Sequence, residues 1–225
     1  MSTFLQGIAK KAQEQPKHRF GNLYELLSEP FLKECWRDIR KEAASGVDRI
    51  SAQDYECQLD ENIHNLVERL KRKRCRAQRV RRRDIPEGDG QRRPLGIPAV
   101  EAKRRQRAVT RRRQAISEPD LRRCRDGYRP PVGASDAVDR RTIKRQCGRY
   151  NVVVEADIKG FFDNIDQDWV MRRLGERLED GAFLRLIRKW LRAGGLDPDG
   201  QVLHPGTGTP PGGIRSPTLA NVYLP

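Results

Sequence analysis

The sequence lacks the features that define several large protein classes. No apolar run approaches the roughly 18 residues of a membrane-spanning helix, and aromatic residues make up only 6% of the 225. Residues 1–20 hold no apolar stretch of the kind a secretory leader needs, so none is expected. Cysteine is scarce and scattered. There are five, at positions 35, 57, 75, 124 and 147, and no two form a Cys-x-x-Cys pair. That argues against a zinc ribbon and a secreted disulfide framework and fits a reducing, cytoplasmic compartment. Acidic residues are outnumbered, 31 against 46 Lys and Arg, for a net charge of +15. Such an imbalance points to a polyanionic partner, most simply nucleic acid.

The excess is local. Residues 69–113 contain 19 Lys and Arg but only four acidic residues, Asp84, Glu87, Asp89 and Glu101, so this fifth of the chain carries the whole net charge. A surface kept only for solubility usually mixes both signs. The run Lys71-Arg72-Lys73-Arg74, then Arg79, Arg81, Arg82 and Arg83, and finally Arg104 and Arg105 read as a basic patch that would hold nucleic acid.

Hydrophobic periodicity predicts helices over 22–44, 59–77, 166–178 and 181–192, with Ser45-Gly46 ending the first, and 99–117 and 136–147 also read as helical. A hairpin is expected over 78–86 and 91–97, turning at Glu87-Gly88-Asp89-Gly90, and another turn at Asp197-Pro198-Asp199-Gly200. Residues 151–158, Asn-Val-Val-Val-Glu-Ala-Asp-Ile, read as the clearest strand and end at a carboxylate. Ser216-Pro217 marks the start of a last helix after a Gly/Pro/Thr-rich loop. Asp163, Asp166 and Asp168 read as turn and helix-start residues. The histidines and cysteines suggest no metal or catalytic cluster.

A carboxylate at a strand end, followed by a turn, can hold a hard divalent cation such as Mg²⁺, and Asp157 fits that description. Four ordered motifs sharpen the reading. Arg93-Pro94-Leu95-Gly96-Ile97-Pro98 follows the basic hairpin, and Gly127-Tyr128-Arg129-Pro130 leads to Ser135-Asp136-Ala137-Val138. Ala156-Asp157-Ile158-Lys159-Gly160-Phe161-Phe162-Asp163 follows the strand. Gly208-Thr209-Pro210-Pro211-Gly212-Gly213-Ile214-Arg215-Ser216-Pro217 runs into Leu219-Ala220-Asn221-Val222-Tyr223. In this order, with Ser45-Gly46-Val47-Asp48 as an early landmark, the chain resembles the group II intron-encoded reverse transcriptases and maturases.

The resemblance implies an α+β fold, the fingers and partial palm of a right-hand polymerase. On that frame, residues 1–58 are a mostly helical N-terminal extension, 59–150 the fingers and 151–225 the first part of the palm. It implies that Asp157 and the backbone carbonyl of Ile158 bind catalytic Mg²⁺. Phe162 would gate against a ribose 2′-hydroxyl, Arg93 would contact the incoming triphosphate, and Pro211-Gly212 would form the template and nucleotide loop. Two alternatives stay open: Phe162 as a core residue and Arg93 as one more solvated arginine. The implied partners are intron RNA or an RNA template, a DNA primer and dNTPs, with no membrane.

The sequence also departs from the family pattern. Two-metal chemistry needs more than one carboxylate, yet no Asp-Asp pair occurs and no acidic residue lies beyond Asp199. The chain ends before the aromatic-Ala-Asp-Asp hairpin and the thumb, so this fragment is expected not to polymerise. Glu87 stands for a usual lysine, Arg49 for a usual glycine and Pro211 for a usual glutamine. Three readings follow: a reverse transcriptase by descent, a non-catalytic RNA-binding fragment, or a decayed mobile-element remnant.

Overall fold

The structure is a computed structural model that describes residues 3–86, 92–121, 127, 152, 154, 156–197, 199–203, 208 and 216–224. In chain order these form α1 (Thr3–Glu14), α2 (Glu29–Arg37), α3 (Ala52–Cys57), α4 (Leu59–Lys71), β1 (Val80–Pro86) and β2 (Arg92–Ile97). Then come α5 (Val100–Ser117), a single 3-10 turn (Glu118–Asp120), α6 (Gln167–Arg177) and α7 (Gly181–Leu191). Last are β3 (Gly195–Leu196), β4 (Val202–Leu203) and α8 (Ser216–Tyr223). The expected helix over 136–147 lies outside the described residues.

The expected helix over 22–44 is realised only as α2. Pro30 explains the difference, because a proline inside a helix removes a hydrogen bond and clashes with the preceding turn. The chain instead begins the helix there, with Ser28 extended (φ −81°, ψ 162°) and the proline in the first turn. The helix expected over 59–77 stops at Lys71. Lys73 takes φ 55°, and the amides of Lys73 and Arg74 turn back to the carbonyls of Leu70 (2.7 Å) and Arg69 (2.9 Å). This is a Schellman closure with lysine where glycine is usual. Most of the 71–74 run therefore projects from a chain reversal and not from a helix face.

Both expected hairpins form and join one sheet in the order β2-β1-β3-β4. β1 and β2 pair antiparallel from Arg81↔Ile97 to Pro86↔Arg92. β1 also pairs parallel with β3 at Val80↔Gly195 and Arg81↔Leu196. The second turn closes through the Gly200 amide on Asp197 O and the Asp197 amide on Gln201 O, both at 2.9 Å. Gly200 supplies the φ of +81° that side chains rarely adopt.

Residues 151, 153 and 155 of the expected strand over 151–158 lie outside the described residues; of the others, Val152, Val154 and Ile158 are 76%, 87% and 57% exposed.

One hydrophobic core runs from Leu5 in α1 to Leu219 in α8 and takes in Leu23, Leu32, Leu66, Ile116, Leu174, Phe183 and Leu191. Burying each such side chain contributes about 1.5–3 kcal/mol. The N-terminal segment is stitched to the far end of the chain. Phe20 N–H donates to Arg177 O (2.8 Å) and Glu179 N–H to Phe20 O (3.0 Å). Asp180 Oδ1 caps α7 through the amides of Ala182 and Phe183 (both 3.0 Å), while its other oxygen accepts from Tyr24 N–H (2.7 Å). Asp166 caps α6 in the same way, accepting from Asp168 and Trp169 (2.8 and 2.9 Å). The helix-start role expected of Asp166 is the one it plays.

Arg49 holds φ 57° in the loop before α3. A non-glycine residue there costs about 1–3 kcal/mol, of which glycine's greater chain entropy returns about 0.5–1 kcal/mol. Arg49→Gly is therefore expected to raise the thermal midpoint by about 2–4 °C, roughly 1 kcal/mol in a chain of this size. A lower midpoint by calorimetry would show that the arginine side chain contributes more than the backbone loses.

Candidate nucleic-acid interface and polymerase site

The basic segment divides into two parts with opposite fates. α5 carries seven Lys and Arg, and most turn inward. Lys103, Arg104, Arg105, Arg112 and Arg113 are all less than 9% exposed. Arg104, the most enclosed, lies over the rings of Tyr55 (4.7 Å) and Trp36 (5.9 Å) and donates to the Tyr55 hydroxyl. Arg105 bonds Arg76 O (3.3 Å) and pairs with Glu101 (3.5 Å). Arg112 lies 4.0 Å over Phe31 and donates to Leu26 O. Arg107 and Arg111 pair with Asp38 and Glu34 of the α2 region (3.3 and 2.8 Å). Burial pushes the Arg112 and Arg113 guanidinium pKa values down to about 10, which leaves both charged at neutral pH.

The placement of Arg104 and Arg105 on an RNA-binding surface is therefore corrected. Both are in the protein interior, at 0% and 3% exposure. The physical reason is that an arginine stem is apolar and its guanidinium stacks on aromatic rings. A helix rich in arginine can thus pack inside if rings, carbonyls and carboxylates meet it.

The other part remains outside. Lys71, Arg72, Lys73, Arg74, Arg79 and Arg83 are exposed, and Arg81 and Arg82 half-buried. Lys71 and Arg72 share Glu68 (3.0 and 3.7 Å). Arg82 is committed to Asp84 at 3.1 Å. Lys73, Arg74, Arg79 and Arg83 enter no ion pair among the described residues. These cations lie on the Schellman turn and on and just before β1, next to β2, where Arg93 pairs in register with Ile85.

Asp157 and Ile158 lie on the exposed segment that leads into the turn at Gly160 (φ +63°). The amides of Asp163 and Asn164 close that turn on Gly160 O (3.0 and 3.1 Å). Phe161 meets Phe162 edge-on at 5.2 Å and Tyr223 of α8 at 5.8 Å. Phe162 is half-buried against the core. Gly208 packs closely against this turn. Its amide donates to Ile165 O (2.7 Å), and its carbonyl accepts from Gln167 Nε2 (2.9 Å). A Cβ at Gly208 would lie 2.5 Å from Asp163 O. Pro211 and Gly212 lie outside the described residues. Gly208 opens the last of the four sequence motifs, which carries no sign of this packing role, and nothing in the sequence marks Gln167.

Among the described residues, no group of three or more His, Cys, Asp or Glu side chains is placed to hold a metal ion. Asp157 offers one carboxylate, which does not make a two-cation centre. The described residues thus fit part of an Mg²⁺ site and not a whole one.

The hairpin thus lies next to the arginine-rich helix α5, and the turn after Asp157 packs through Phe161 on Tyr223 of the terminal helix α8. A family profile described as "Reverse transcriptase (RNA-dependent DNA polymerase)" matches residues 85–225, and the chain belongs to that family. Within it, the relatives place the chain among the group II intron-encoded proteins. It is 34% identical over 222 residues to the "Group II intron-encoded protein LtrA" of Lactococcus lactis subsp. cremoris, covering 98% of this chain and 37% of that protein. It is 30% identical over 226 residues to "Protein YkfC" of Escherichia coli (strain K12), covering 96% and 58%. An "Uncharacterized 91 kDa protein in cob intron" of Schizosaccharomyces pombe is 33% identical over 162 residues, covering 72% of this chain and 20% of that protein. The chain spans between about a third and three fifths of the length of the first two relatives. Among the described residues, no helix is long and apolar enough to cross a membrane.

Proposed function

We propose that this reverse transcriptase domain grips RNA through the exposed turn and hairpin, Lys71 to Arg74 with Arg79, Arg81 and Arg83, as part of RNA-templated DNA synthesis and intron splicing and mobility. One observation carries the reading. The same basic segment that buries most of its α5 cations leaves Lys73, Arg74, Arg79 and Arg83 exposed without ion pairs among the described residues. Unpaired surface cations in a row suit a phosphate backbone, where release of counterions drives binding. Contacts of this kind read the shape and backbone of RNA more than its bases.

In the whole protein, Asp157 and the Ile158 carbonyl would hold Mg²⁺, which supplies charge neutralisation for phosphoryl transfer. Phe162 would exclude a ribose 2′-hydroxyl. Arg93 and the Pro211-Gly212 loop would meet the incoming dNTP and the template.

The experiment measures the affinity of the 225-residue chain for structured RNA across a salt series. Reversing Lys73, Arg74, Arg79 and Arg83 to glutamate is expected to weaken binding by about tenfold to a hundredfold and to flatten the log–log salt slope by about 0.7–0.9 per lost phosphate contact. Reversing Arg107, which is paired within the fold, serves as the control. Equal affinity and slope in the parent and the fourfold variant would refute the interface.

A further inference from the structure

A cavity of about 250 Å³ opens between the C-terminal end of α5, α6 and α8. Ile116, Leu174 and Val222 make its apolar wall, and three arginines, Arg113, Arg173 and Arg177, make its basic one. Two of these are already matched by carboxylates that also border the space. Arg173 pairs with Glu176 and Arg177 with Asp120, each at 2.9 Å.

Arg113 is not matched. It is 4% exposed, its Nη1 is buried without a hydrogen-bond partner, and it enters no ion pair among the described residues. Only the field of Glu118, five residues on, acts in its favour. A guanidinium taken out of water with nothing to receive its protons is costly. Arg104, buried on the same helix, also leaves Nε and Nη1 without partners, but its guanidinium lies over two rings and donates to a hydroxyl. Arg113 has a cavity instead.

We propose that this cavity binds one small oxyanion, a phosphate or carboxylate, with Arg113 as its charged anchor. Charge-assisted bonds to a guanidinium are the strong kind, and the planar fork suits an oxyanion. Asp120 and Glu176 restrict the site to a single anionic group, since further negative charge would face two carboxylates. The apolar wall accommodates a short hydrocarbon or aromatic body behind that group. The site shares no residue with the exposed 71–83 run or with the Asp157 turn, and it stands apart from the RNA reading.

Inorganic phosphate and benzoate are the probes, titrated against thermal unfolding of the 225-residue chain with chloride holding ionic strength constant. At about a hundredfold excess over the dissociation constant, the midpoint should rise by about 5–10 °C. In Arg113→Met the rise should vanish for both probes. Ser117→Glu retains Arg113 but brings a carboxylate to the cavity wall, so it too should lose the response, which keeps the test valid should Arg113→Met fail to fold. A larger response to benzoate than to phosphate would assign the apolar wall to the ligand's body and support the site. An equal rise in the parent and both variants would place the anions on surface lysines and arginines and overturn it, as would the absence of any rise in the parent.

Discussion

Arg177→Ala is expected to cost about 3–5 kcal/mol and to lower the melting midpoint by roughly 10 °C. The guanidinium of Arg177 gathers the carbonyls at the end of α1. It donates to Ala12 O (3.2 Å), Gln15 O (3.1 Å), Pro16 O and His18 O (3.1 Å), and its Nε pairs with Asp120 (2.9 Å). The last carbonyls of any helix have no partner within it; here Arg177 of α6 donates to one of them, Ala12 O, and to three carbonyls of the segment just beyond α1. Alanine would leave these carbonyls and Asp120 without their donor, in a region that also carries the Phe20–Leu178 bridge. Arg177→Lys should recover only part of the loss, because an ammonium is a point charge and cannot span the fork. Trypsin offers a local readout, since Lys10, Lys11, Lys17 and Arg19 lie in the segment that would come loose. Cleavage there should accelerate in Arg177→Ala well below the global transition. Unchanged cleavage and midpoint would mean that α1 is held by its apolar face alone.

Gly46→Ala is the second large effect, again about 3–5 kcal/mol and about 10 °C. A Cβ at Gly46 would lie 2.4 Å from Ala99 N, 2.5 Å from Ala99 Cα and 2.8 Å from the carbonyl carbon of Pro98. Every one of these atoms is backbone, so no side chain can swing away. Ala99 and Val100 are themselves buried, at 0% and 1% exposure. The loop around Gly46 is held to α5 by Lys103 Nζ on Ala44 O (2.7 Å). The methyl would have to separate this loop from the junction of β2 and α5, which carries the hairpin. Gly46→Ala should therefore also weaken RNA binding, although residue 46 lies outside the basic run. A melting midpoint within 2 °C of the parent would refute the close approach.

Gly46 illustrates what was legible. Its place in the Ser45-Gly46-Val47-Asp48 landmark was readable from the motif, but the reason for it, backbone against backbone across 53 residues, needed the fold. Local signals fared well where the physics is local. The turn at Gly200 forms as expected, and Asp166 starts a helix. The periodic segments over 166–178 and 181–192 became helices within a residue or two. The long helix over 22–44 failed because the apolar spacing was weighed and Pro30 was not.

The largest miss was α5. Its Arg-rich composition reads as a solvated surface, and its sequence has no apolar stripe that would suggest otherwise. What buries it are Phe31, Trp36, Tyr55, Glu34 and Asp38, all more than forty positions upstream. No window along the chain could have joined them. The Asp157 turn was located correctly in sequence, but its neighbours depend on partners that periodicity does not specify.

The clamp at Arg177 also bears on how the protein is made. It joins residues up to 165 positions apart. At a ribosomal pace of about 5–20 residues per second, the end of α1 waits roughly 8–33 s for the side chain that closes it. The α2–α5 ion pairs span less than half that distance, 69 to 77 positions, and can form first. The nascent chain would thus bury its arginines early and leave α1, with its apolar face still open, as the segment most in need of a chaperone until synthesis passes residue 180.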